Sequence, residues 1–67
     1  MTPLTMRQMS VAVLVSQGYT DKQIAAELEI AENTVGNHVT AIADAMQLDR
    51  QRNIRVQITR RLYQIAA

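Results

Sequence analysis

The chain has 67 residues, 48% of them apolar, with no Phe, Trp or Cys. That length holds one domain whose small core is marginal unless it packs well or a second subunit adds to it. The absence of cysteine excludes a disulfide framework, a thiolate metal site and a cysteine nucleophile. Net charge is only +1, but it is unevenly spread. Residues 1–49 carry Arg7 and Lys22 against Asp21, Glu27, Glu29, Glu32, Asp44 and Asp49, a net −4, whereas residues 50–67 carry Arg50, Arg52, Arg55, Arg60 and Arg61 and no acid, a net +5.

With no large aromatics beyond two tyrosines, the core must be built from Ile, Leu, Val, Ala and Met, which favours helices over a sandwich. The first helix is expected over residues 6–17. Thr5 can accept from the amide three residues on while Gln8 reaches back to the Thr5 amide, a capping box, and Leu4 and Met9 have the spacing of a hydrophobic staple. Val11, Leu14 and Val15 form the buried stripe, and Gly18 suits a left-handed helix end. The device repeats at Thr20 and Gln23, with Tyr19 and Ile24 as the staple pair, giving a second helix over 21–28 with Asp21 at its positive end.

Glu29, Ile30 and Ala31 make a tight corner, with Ile30 as its apolar plug. The third helix is expected over 32–46, with Val35, Val39, Ile42 and Met46 inward. It starts poorly: Ala31 stands where a Ser or Asp would cap, and Gly36 in its second turn costs about 1 kcal/mol of helix propensity. Asp49 is the expected cap of a fourth helix over 50–65, on which Ile54, Ile58 and Leu62 form a straight ridge continued by Ile65. Two uses of that ridge stay open: packing on a symmetric copy, or completion of the protomer's own core. Residues 20–46 therefore outline a helix-turn-helix, whose second helix can enter a DNA major groove.

At Leu4, Thr5, Arg7, Val11, Gly18, Thr20, Lys22, Ile24, Ala25, Leu28, Ile30, Thr34, Val35, His38 and Ile42 the chain resembles the C-terminal helix-turn-helix domain of LuxR-type (GerE-like) bacterial transcription regulators. The resemblance implies an all-α, four-helix domain over residues 1–67. It makes the third helix the recognition element and the fourth, in members that pair, the dimer contact. With no sensing or receiver segment in this sequence, the resemblance is to the stand-alone members. The departures fall on the recognition helix. Gly36 and Ala45 replace family lysines, Ala31 replaces the capping serine, and the charged pair between helix 1 and the start of helix 4 aligns with Gln8 and Gln51.

A DNA contact set follows: Asn33, Thr34, Asn37 and Thr40 toward bases, and Thr20, Lys22, Thr34 and Arg50 or Arg52 toward phosphates, with His38 packed or beside a phosphate. Asn is suited to adenine, which it can meet with two hydrogen bonds. Ile54, Ile58, Leu62 and Ile65 are the residues for a homodimer through helix 4. The bland readings are a solvated polar face for the first set and a solubilising one for the arginines, although five arginines without an acid favour an acidic partner. His38 has no second His or Cys to join it as a metal ligand, so neither a metal nor another cofactor is implied.

Without a catalytic constellation or room for a deep pocket, an enzyme is not expected. No apolar run reaches the length of a membrane span, and the N-terminus lacks signal-peptide regions, so the expected location is cytoplasmic, away from any membrane. Two functions remain in view. One is a DNA-binding transcription regulator, bacterial or phage, acting on double-stranded DNA. The other is an anti-activator of the same fold whose partner is another transcription regulator of the LuxR type, favoured by the lost lysine at position 36 and the acidic body.

Overall fold

Local hydrogen bonds set the starts of the first two helices. In the computed structural model, which describes residues 3–66 and their side chains through residue 64, α1 spans Met6–Ser16, α2 Asp21–Leu28, α3 Glu32–Ala45 and α4 Ile54–Ala66. Thr5 Oγ1 accepts from the Gln8 amide at 3.1 Å and the Thr5 amide donates to Gln8 Oε1 at 3.0 Å. Thr20 and Gln23 repeat this at 3.1 and 2.9 Å. Each box satisfies two backbone donors that a helix start otherwise leaves open.

The first three helices also end alike. After α1, Gly18 has φ +88°, its amide donates to the Val15 carbonyl and the Tyr19 amide to the Leu14 carbonyl, the bonding of a Schellman motif. Glu29 and Gln47 adopt the same left-handed conformation at φ +57°, with Ile30 bonded back to Ala25 and Leu48 to Ala43. Tyr19, Ile30 and Leu48, each the residue after the left-handed one, pack against the core. Burial of that following residue is what holds Glu29 and Gln47 in a conformation costly for a side chain with a Cβ.

The fourth helix starts later than expected. Asp49 does not cap it. Its carboxylate instead accepts from the Gln51 amide at 2.9 Å, closing a local turn, and Asn53 caps α4 by accepting from the Val56 amide at 3.2 Å. Gln57 then clasps the Asp49 backbone, accepting from its amide at 3.0 Å and donating to its carbonyl at 2.7 Å. Both residues are competent caps, and the Gln57 clasp spends the Asp49 backbone on the turn.

Helix α1 packs on α3 and α4, and α2 packs chiefly on α3. The core joins Val11, Ala12 and Val15 of α1, Ile24 and Ala25 of α2, Val35 and Ile42 of α3, the following Met46, and Ile58 of α4. Leu4, Leu14, Leu28, Val39, Ile54 and Leu62 are half-buried around it. Ala12 and Ala43 are buried although the apolar pattern did not single them out, because small side chains go where helices approach closely. No helix of the described residues is long and apolar enough to cross a membrane.

Candidate nucleic-acid interface

The inward face of α3 is spent on the core, which leaves a polar face opposite. Asn33, Asn37 and Thr40 are exposed there, and Thr34 and His38 are half-buried at its margin. No hydrogen bond among the described residues uses the side chains of Asn33, Asn37 or Thr40, so their donors and acceptors point to solvent unspent. Ala31 gives α3 no side-chain cap, and Glu32 is the acidic residue of its first turn.

Gly36 lies on the flank of this face and is demanded by neither backbone nor packing. Its φ is not left-handed, and a Cβ built on it would meet nothing within 4 Å. The glycine removes a side chain from an open surface without easing any contact of the fold. Ala45 is half-buried near the other end of α3.

The arginines behave differently from the run of free cations that their spacing suggests. Arg55, the second residue of α4, reaches across to the start of α2. One guanidinium nitrogen lies 2.6 Å from Asp21 Oδ1, and another donates to the Tyr19 carbonyl. Arg50 is ion-paired with Asp44 on α3, and Arg52 lies 3.5 Å from Asp49 Oδ2. Three of the five arginines are thus matched by three of the six acids. The acids without an ion pair among the described residues are Glu27, Glu29 and Glu32, all in or beside the corner between α2 and α3. Arg7, Lys22, Arg60 and Arg61 are the cations in the same position.

Two sequence expectations change as a result. Gln51 does not stand at the start of helix 4, so the supposed neutral exchange of Gln8 with Gln51 is not what links that helix to the body. Gln8 is engaged in the Thr5 capping box and Gln51 is exposed in the turn, while Arg55 supplies a charged link to Asp21. Arg50 and Arg52 lie outside helix 4, each beside an acid rather than in an unopposed basic element.

The ridge on α4 faces inward. Ile58 is 0% exposed in the core, with Ile54 and Leu62 half-buried on either side. The side chain of Ile65 falls outside the described residues. Among the described side chains, the exposed large apolar residues of α4 are Val56 and Tyr63, which lie off the ridge. Of the two uses left open for the ridge, a symmetric copy or the protomer's own core, Ile58 takes the second, since on this short helix that line is the side that meets the core.

Four short helices around an aliphatic core, with α2 and α3 joined by a three-residue corner and α3 presenting a free polar face, define a helix-turn-helix domain. The GerE family model, described as bacterial regulatory proteins of the luxR family, matches residues 2–60, and the chain belongs to that family. No solved structure matches the chain.

Proposed function

We propose that this chain is a DNA-binding transcription regulator that lays α3 in the major groove and pairs through α4. The observation that carries this reading is the outward face of α3. Asn33 and Asn37 lie one turn apart with Thr40 beside them, exposed and without intramolecular hydrogen bonds, in an element whose buried side is complete. Asn at such positions favours adenine, and Thr tolerates several bases while favouring contact with the thymine methyl. Thr20, Lys22, Thr34 and His38 flank this face as phosphate contacts. Arg50 and Arg52 can join them, since an exposed ion pair is worth at most about 1 kcal/mol and a phosphate can compete for either guanidinium.

The test is selection of bound duplexes followed by a salt series on the winner. Affinity should fall steeply with salt, and Asn37→Ala should erode discrimination between sequences more than it weakens non-specific binding. Binding of no duplex at low salt would sink this reading.

A second reading draws support from charge. With Asp21 and Asp44 already paired, α2, α3 and their corner still hold Glu27, Glu29 and Glu32 against Lys22 and His38. That surface repels phosphate and suits a basic protein, such as the DNA-contacting face of another LuxR-type regulator. This anti-activator reading predicts that the purified chain lowers such a regulator's operator affinity without touching the operator itself.

A further inference from the structure

The outer side of α3 consists of two adjoining rows. Asn33 and Asn37 form one, and Glu32, Gly36, Thr40 and Asp44, each four residues on from the last, form the other. The second row begins and ends on a carboxylate, and the fold treats the two differently. Asp44 is ion-paired with Arg50, so its charge is met within the protomer. Glu32 is exposed and makes neither an ion pair nor a side-chain hydrogen bond among the described residues. One turn on, where a cation would pair with it, stands Gly36, and a Cβ built there would meet nothing within 4 Å. Glu32 therefore lies beside the asparagine row with its acceptors unspent and with open space over the next turn.

We infer that Glu32 reads a cytosine, accepting a hydrogen bond from its N4 amino group in the major groove, within about two base pairs of the adenine that Asn37 meets. This rests on the reading that α3 lies in the major groove, and it adds a base to that reading together with the residue that selects it.

A carboxylate brought against a duplex is repelled by phosphate, and at a base edge it is unfavourable unless a donor meets it. The major-groove edges offer two kinds of donor, N6 of adenine and N4 of cytosine. Adenine sets its N7 acceptor beside N6, which opposes a carboxylate, whereas the edge of cytosine carries no acceptor of its own. Position agrees with this chemistry. The first residues of a recognition helix are those that reach base edges, and Glu32 is the first residue of α3. From there to Asn37 the helix rises about 7.5 Å, roughly two steps of a DNA strand. Gly36 lowers helix propensity without easing any contact of the fold. What it provides is clearance between Glu32 and Thr40 for a base edge to approach the helix.

The test begins with selection of bound duplexes by the full chain, Glu32→Gln and Asn37→Ala. The winning duplex is then titrated beside the same duplex with the cytosine nearest the Asn37-dependent adenine changed to thymine, and beside a duplex of random sequence. The unsubstituted chain should prefer cytosine to thymine by about tenfold, because the thymine O4 acceptor would face the carboxylate. Glu32→Gln should abolish that preference, since an amide donates to O4 as readily as it accepts from N4, and should leave the Asn37-dependent adenine preference unchanged. Circular dichroism checks that the variants keep their helices, and the thymine exchange reads the contact on the unsubstituted chain. If Glu32→Gln shifts the affinity for all three duplexes by one common factor, Glu32 acts only through its charge or on the helix start, and the proposal falls while the groove reading stands. A winning duplex with no cytosine within two base pairs of that adenine has the same meaning. If duplex is bound but neither substitution alters any base preference, α3 is not the reading helix and both fall. Binding of no duplex at low salt also overturns both.

Discussion

Helices α2 and α3 are the two halves of one motif, yet they are held in place by different means. The eight residues of α2 are capped by a reciprocal box at the front, closed by a left-handed residue at the back, and tied to α4 through Arg55. The fourteen residues of α3 begin without a side-chain cap and carry Gly36 in their second turn. What keeps α3 helical is its buried row of Val35, Ile42 and Ala43, which runs on to Met46. Helix α2 buries Ile24 and Ala25 in the same core, so its ends add to packing that both helices share. A helix specified by its packing tolerates changes to its outer face, and in α3 that face carries Asn33, Asn37 and Thr40 with no cation among them.

The largest break in this contrast should come from the core. Ile42→Ala removes a side chain that is 0% exposed and should cost about 2–5 kcal/mol in urea unfolding, enough to leave a domain of this size barely folded. A smaller loss is expected at the locally built helix. Thr20→Ala deletes one acceptor of its capping box and should lower stability by about 1 kcal/mol, or roughly 4–8 °C in Tm. Arg55→Met should cost a similar amount, since the link to Asp21 and Tyr19 is partly exposed and screened.

Repairing α3 should act in the opposite direction. Gly36→Ala places a Cβ in open space on a helix and should gain up to about 1 kcal/mol, and Ala31→Ser should gain about as much by restoring a cap. Hydrogen exchange at the first amides of α3 should slow in both variants. No gain from either would mean that α3 is not limited by its own start. The smallest effect on stability, and the most informative for function, is expected of Gly36→Lys. If α3 lies on DNA, the added cation should steepen the salt dependence of binding by about one phosphate contact, and an unchanged slope would place position 36 away from the backbone.

The charge pattern shows how far linear reading carries. Five arginines after residue 49 and six acids before it look like two separate fields, and the expectation of free cations at Arg50 and Arg52 follows from that. Folding brings Arg55 to Asp21 across 34 positions and Arg50 to Asp44 across six, so two of the five arginines meet acids from the earlier part of the chain. Such pairings depend on where α4 crosses the body, and no local spacing reports it. The direction of the α4 ridge was undetermined for the same reason: its apolar line is consistent with a core contact or with a partner, and only the position of α1 beneath it turns Ile58 inward.

What the sequence determined by itself is therefore the part governed by bonds three to five residues long. It covers the two capping boxes, the Gly18 turn, the order and approximate extent of four helices, and the apolar faces of α1, α2 and α3. The tertiary structure decided the rest: the left-handed turns at Glu29 and Gln47, whose following residues pack on the core, the clasp of Asp49 by Gln57 that leaves the α4 cap to Asn53, the pairing of Arg55 with Asp21 and of Arg50 with Asp44, and the exposure of Val56 and Tyr63 rather than Ile58. These turn on which side chain is buried or met by a distant partner. Burial and ion pairing are properties of helices packed together, and a chain read along its length contains only the candidates.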